Sequence, residues 1–149
     1  MIKLTVEQIK KVAEMTDKGY KCFVKLDNGK LVYFPDQIRL PAVDMDEWDE
    51  AIAEVEENLD DYEEITAMDE NQQYGIMEEF ADQINDKKLR DRLYSTLDSN
   101  RPQYNFKWEI ESADATVKNN WAEFKVRKGM EWVEEELEYI NEKFENEED

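Results

Sequence analysis

Hydrophobic positions along this chain repeat with two periods, every second residue in a short N-terminal stretch and every three to four residues over most of the remainder. The first helical stripe is Ile9, Val12 and Ala13. Thr5 and Gln8 precede it at the spacing of a capping box, and Leu4 is placed to pack on Ile9 as a hydrophobic staple. Gly19 after Lys18 is a natural stop, because glycine takes the left-handed cap conformation without steric penalty.

Alternation takes over in YKCFVKLDNGKLVYFP, a β-hairpin pattern in which Asn28 and Gly29 suit a two-residue type I′ turn. That turn predicts Asp27 opposite Lys30, Leu26 opposite Leu31, Val24 opposite Tyr33 and Phe23 opposite Phe34. One face then carries Phe23, Val32 and Phe34, and the other Tyr20, Cys22, Val24, Leu26, Leu31 and Tyr33. A hairpin apolar on both faces needs cover, so a third strand at 62–66 and flanking helices are expected.

Helical spacing returns over 46–58, with Trp48, Ile52, Val55 and Leu59 on one side and carboxylates on the other. From residue 69 the chain reads as helices: 69–84, 87–97 after an Asp86 cap, 104–111 after Pro102, and a long final stretch. In that stretch Ile110, Ala113, Val117, Trp121 and Phe124 form one stripe, and Val126, Met130, Val133, Leu137, Ile140 and Phe144 a second. The stripes are out of phase near 125–129, so a break, a bend or a change of packing partner is expected there. Gly129 is the weak point, at about 1 kcal/mol relative to alanine. The second stripe has the spacing of a short coiled-coil seam. Docking onto its own domain is the simpler use; with Trp132 and Tyr139 it alternatively makes a homodimer or partner face.

The fold class expected is α+β: an N-terminal helix, a small antiparallel sheet built on a β-hairpin, and a C-terminal half of four or more helices. One domain over 1–144 is expected, with its sheet part at about 1–66 and its helical part at about 67–144, followed by an acidic disordered tail at 145–149. The 149 residues are 40% apolar and include 17 aromatics, enough for a core. Cys22 is the sole cysteine, which points to a reducing compartment. No stretch resembles a secretory core or a membrane span, so a cytoplasmic protein without membrane contact is expected.

Charge sharpens this picture. Asp and Glu number 39 against 19 Lys and Arg, a formal net charge of −20. Residues 1–39 carry a net of +3, residues 40–86 carry 18 acidic side chains and no Lys or Arg, residues 87–128 carry 10 basic against 6 acidic, and the last 21 carry 10 acidic against 1 basic. Such a field repels phosphates and anionic lipid headgroups and favours basic partners. Solubility is the competing use of the same charge. Basic and aromatic residues do interleave over 87–128, among them Arg101, Tyr104, Lys107 and Trp108. The aromatics recur at the helical spacing of core residues, so nucleic-acid binding is disfavoured. Pairing of these cations with the acidic segment, within the molecule or across an oligomer, is the more economical use.

With no histidine in the chain, Ser/His/Asp and Cys/His catalysis and imidazole metal sites are excluded. The four glycines are isolated, so phosphate-cradling loops are absent. Cys22, in a strand among aromatics, reads as a buried inert thiol. Around Asp44, Asp46, Glu47, Asp49 and Glu50 an EF-hand fails, because Trp48 occupies a ligand position and the loop glycine is missing. No catalytic residue, metal site or cofactor is therefore assigned.

Several spaced positions carry a resemblance: Met68, Asp69, Tyr74, Met77 and Phe80, then Asp86, Leu89 and Leu93, then Arg101, Pro102, Phe106 and Lys107, and finally Trp121, Phe124 and Lys125. As a set they resemble the bacterial uncharacterised protein family 0158 over about residues 60–128. The family's pattern places a proline before the tryptophan-bearing helix, whereas residues 113–117 here contain none. Most of these positions are apolar, as a shared core requires, and the resemblance implies no activity.

A non-enzymatic acidic module that engages a basic protein surface is thus the function expected, through Asp46, Glu47, Asp49, Glu50, Glu54, Glu57, Asp60 and Asp61. The alternatives are a structural homo-oligomer through Val126, Met130, Val133, Leu137, Ile140 and Phe144, and a DNA-mimic or immunity-type inhibitor.

Overall fold

The computed structural model describes residues 1–148, with side chains described as far as Glu145. Its elements are helix α1 (Val6–Asp17), strands β1 (Tyr20–Lys25) and β2 (Leu31–Pro35), a 3₁₀ turn (Met45–Trp48), α2 (Asp49–Glu56), a second 3₁₀ turn (Leu59–Asp61), β3 (Tyr62–Ile65), α3 (Glu70–Asp82), α4 (Lys87–Leu97), α5 (Pro102–Glu111) and α6 (Ala115–Glu148). The α+β class is as expected. Two compact units are present: Met1–Ala67 with the residues from Gly129 on, and Met68–Lys128. The residues from Gly129 on thus belong to the unit that holds the sheet.

Local chemistry sets the element ends. Thr5 and Gln8 form the capping box of α1, and Gly19 follows its C-cap at φ +101°. Asp69 and Gln72 repeat the box on α3, and Asp86 accepts from the Lys88 and Leu89 amides to start α4. Asp114 caps α6, its carboxylate accepting from the Val117 amide at 3.0 Å.

The sheet is antiparallel with order β2-β1-β3. Its hairpin register differs from the expected one by two residues: Val24 pairs with Leu31, Phe23 with Val32 and Cys22 with Tyr33. The loop closes through Lys25 N–H to Lys30 O and Gly29 N–H to Lys25 O, with Gly29 at φ +74° and no other loop residue at positive φ. A type I′ turn needs positive φ at both central residues. Here the Asn28 side chain instead accepts from the Lys30 amide at 2.9 Å, and the Leu26 N–H is taken by Asp61 O. A slip of two residues keeps Cys22, Val24, Leu31 and Tyr33 on one face and Phe23, Val32 and Phe34 on the other, whereas Tyr20 at the start of β1 meets Trp48, on the cover of the second face, edge-on at 5.6 Å.

Both faces are covered within the sheet unit. Cys22, Val24 and Ile65 pack with Ile9, Val12 and Ala13 of α1 and with Val133, Leu137 and Ile140 of α6. On the opposite face Val32, Phe34 and Tyr62 pack with Val55, Trp48 and Ile52. The side-chain amide of Asn141 closes the first layer, accepting from Ile2 N–H at 2.8 Å and donating to Ile2 O at 3.0 Å. Trp132 Nε1 donates to Thr66 O at 2.8 Å. In the second unit Met77, Phe80, Leu89, Leu93, Phe106, Ile110 and Phe124 form a separate core around Trp121.

α6 is helical throughout Ala115–Glu148, so no break is found near 125–129, and the packing partner changes there. Gly129 there is a point of close approach: a Cβ built on it would lie 3.1 Å from the Ala13 Cβ. Of the expected tail, 145–148 continue α6, since no glycine or proline follows Phe144 to end the helix, and residue 149 lies outside the described residues.

Two glycine substitutions should move stability in opposite directions. Gly75 is exposed in α3 with open space around it, so Gly75→Ala should stabilise by about 1 kcal/mol. Gly129→Leu should destabilise by roughly 1–3 kcal/mol through overpacking against α1. Calorimetric unfolding checks both, and an unchanged transition for Gly129→Leu would contradict the close approach.

Candidate functional site

The acidic face is built by the segment that covers the second face of the sheet. Asp44 caps the first 3₁₀ turn by accepting from the Asp46 amide at 3.0 Å, and α2 continues from Asp49. The turn and the helix spend Trp48, Ile52 and Val55 inward on Val32, Phe34 and Tyr62. Their polar positions therefore point outward. Asp46, Glu47, Asp49, Glu50, Glu57, Asp60 and Asp61 are exposed and Glu54 is half-buried.

Glu54 Oε1 accepts from the Tyr62 hydroxyl at 2.7 Å, and its backbone oxygen accepts from Asn58 Nδ2 at 2.8 Å. With the described residues none of the eight carboxylates makes an ion pair. The expected pairing with the basic segment does occur elsewhere: Glu79 meets Lys128 at 2.9 Å.

This arrangement is not one that stability would select. Asp49 and Glu50 in the first turn of α2 complement the helix dipole, but Glu56 ends the helix and Glu57 caps it, where negative charge is unfavourable. Glu50 and Glu54 stand one turn apart on α2, a like-charge pair that costs about 0.2–0.5 kcal/mol. Leu59 was expected to continue the inward stripe. It is 65% exposed instead, because α2 ends at Glu56 and the chain turns away before residue 59, leaving an apolar side chain among Glu57, Asp60 and Asp61.

The second predicted face is used internally. Val133, Leu137 and Ile140 are buried against α1 and the sheet, Met130 packs beside them, and Val126 and Phe144 are half-buried. The reason is that the outer face of a three-stranded sheet has more apolar surface than α1 alone covers. The simpler of the two expected uses, docking on the chain's own unit, is the one observed.

The model of the Uncharacterised protein family (UPF0158) matches residues 1–149, the whole chain. The chain belongs to this family. No curated protein and no solved structure matches it. Most of the positions that carry the resemblance fall in the core of the second unit, where Met77, Phe80, Leu89, Leu93, Phe106 and Phe124 are buried and Tyr74 and Trp121 pack on them. In this chain those positions are therefore largely structural. Among its described residues no group of three or more Cys, Asp or Glu side chains is arranged to hold a metal ion, and no helix is long and apolar enough to cross a membrane.

Two aromatic side chains of this UPF0158 chain do not sit where helical spacing suggested. Tyr104 and Trp108 are each 58% exposed, while Phe106 and Ile110 of the same helix are buried. Spacing identifies a shared face but not which of two competing faces turns inward.

Burial shifts Cys22, Tyr33 and Tyr62 of the sheet unit toward their neutral forms. Burial raises the Cys22 thiol to about 12, an effect opposed by the neighbouring Tyr33 hydroxyl and reinforced by the Glu64 charge. Tyr33 is itself raised, chiefly by burial, and its buried oxygen lacks a partner in hydrogen-bond geometry. Tyr62 is pushed up to about 12, first by burial of its ring and then by its hydrogen bond to the Glu54 carboxylate.

The sign of the alkaline response follows. A thiol whose folded value lies above its ordinary value of 9.0 contributes full stability below pH 9.0 and loses it as pH rises to about 12. Chemical unfolding between pH 8 and pH 12 should show stability falling with pH, and Cys22→Ala should flatten the slope. At pH 8 the native thiol should react with a disulfide reagent only after denaturant is added; rapid native reaction would contradict its burial.

Proposed function

We propose that this chain is a non-enzymatic binding module whose acidic face, formed by α2 and its two flanking 3₁₀ turns, docks a basic surface on another protein. One observation carries the reading: nine carboxylates between residues 46 and 61, eight of them exposed, have no cationic partner among the described residues. Charge that repels itself and neutralises nothing nearby favours a cationic surface brought from outside.

Leu59 supports a protein as that partner. An interface keeps an apolar centre within a polar rim, and an exposed leucine bordered by Glu57, Asp60 and Asp61 has that composition. A simple cation or a polyamine would have no use for it. The inhibitor version of the reading, in which the face imitates DNA, uses the same residues and differs only in what else the partner binds.

Capture of basic partners on the immobilised full chain tests the proposal. Retention should be strong at about 0.05 M salt and lost at about 0.5 M, as screening shortens the reach of the field. The combined variant Asp46→Asn, Glu47→Gln, Asp49→Asn, Glu50→Gln, Glu57→Gln, Asp60→Asn, Asp61→Asn should retain nothing. Leu59→Ala should weaken retention about tenfold without altering its salt dependence. Equal retention by the charge-neutralised chain would refute the proposal, and displacement of the partner by added DNA would select the DNA-mimic version.

A further inference from the structure

Trp108 forms one wall of an open groove of about 420 Å³ between α4 and α5, lined otherwise by polar side chains that include Asp91, Arg92, Ser99, Asn105 and Glu109. A half-exposed indole in a folded chain forgoes a large part of the gain that aromatic burial brings. The surrounding polar groups are only partly occupied. Arg92 Nε donates to Glu109 Oε2 at 3.3 Å, which leaves the terminal guanidinium nitrogens available as donors. Asn105 Nδ2 donates to Ser99 Oγ at 2.9 Å, which leaves the amide oxygen as an acceptor. Asp91 makes no ion pair and the Trp108 indole N–H makes no hydrogen bond among the described residues.

We propose that this groove binds a neutral carbohydrate, with one sugar face against the Trp108 indole and its hydroxyls on Asp91, Arg92 and Asn105. A sugar ring presents an apolar C–H face together with hydroxyls that both donate and accept. The groove supplies the matching set: an aromatic plane, two donors on Arg92 and the indole, and two acceptors on Asp91 and Asn105. Its volume lies within the range of small-ligand sites. Asp91 and Glu109 in the lining oppose a phosphodiester, which sets a neutral ligand above a nucleic acid strand on the same aromatic surface.

The inference is independent of the acidic face, whose residues belong to the other compact unit. The full chain, Trp108→Ala, Trp108→Phe and Asp91→Asn are applied to an array of neutral glycans (α- and β-glucans, mannans and chitin oligomers), with oligothymidylate as the comparison. The wild-type chain should be retained on at least one neutral glycan. Trp108→Ala should bind it roughly tenfold more weakly, Trp108→Phe should recover part of the loss, and Asp91→Asn should weaken binding without abolishing it. Because Trp108 is 58% exposed, unchanged thermal unfolding of the variants separates lost binding from lost structure. Retention of no neutral glycan, equal retention by Trp108→Ala, or retention of oligothymidylate alone would each overturn the proposal.

Discussion

A central strand that is apolar on both sides is the constraint from which the sheet unit follows. Cys22 and Val24 of β1 are fully buried on one face, and Phe23 stacks on Phe34 at 5.3 Å on the other. Neither face can be left in water, so each needs a cover, and the two covers are unlike. α1 and the last part of α6 bring Val12, Val133 and Ile140 to one face, while α2 and its turns bring Val55, Trp48 and Ile52 to the other. α2 is only eight residues long, so once its apolar positions are committed inward Asp49, Glu50 and Glu56 face out, while Glu54 at the margin bonds Tyr62. Burial of one such side chain contributes about 1.5–3 kcal/mol, against about 0.2–0.5 kcal/mol for each like-charge pair. Packing therefore holds the acidic face in place against its own repulsion.

Charge is distributed unevenly over the two units. The sheet unit has 27 acidic and 9 basic side chains, a net of −18, and the helical unit has 12 and 10, a net of −2. Under the proposed reading, the part of that charge carried by α2 and its turns, beside the exposed Leu59, is what a basic partner meets.

How much of this was legible in the sequence depends on whether the deciding chemistry is local. The capping residues Thr5, Asp69 and Asp86 and the helix-starting Pro102 act within a few positions of themselves, and the helices begin where they stand. The acidic face was legible for a related reason, since a helix with one apolar stripe has a predictable outside. The hairpin was readable in its faces and not in its register, because the choice between a two-residue and a four-residue closure was made by the Leu26 amide reaching Asp61, a contact across the sheet. Gly129 is the clearest reversal. Intrinsic propensity makes it a weak point, yet its missing Cβ is what lets α6 approach Ala13, a residue more than a hundred positions away.

Helix α5 shows why the aromatic groove stayed hidden. Its ten residues hold two competing pairs at the same spacing, Tyr104 with Trp108 and Phe106 with Ile110, and sequence periodicity ranks them equally. The core of the second unit accepted Phe106 and Ile110, whose side chains carry no polar atom to satisfy. Tyr104 and Trp108, each with a hydrogen-bonding end, were left at the surface. The two units consequently offer surfaces governed by different physics. One is anionic and acts at a distance that salt shortens; the other is aromatic, nearly neutral as a unit and effective only in contact. Under the two proposals, ionic strength releases what the first surface holds and leaves the second engaged, so the two attachments respond independently to the same solution.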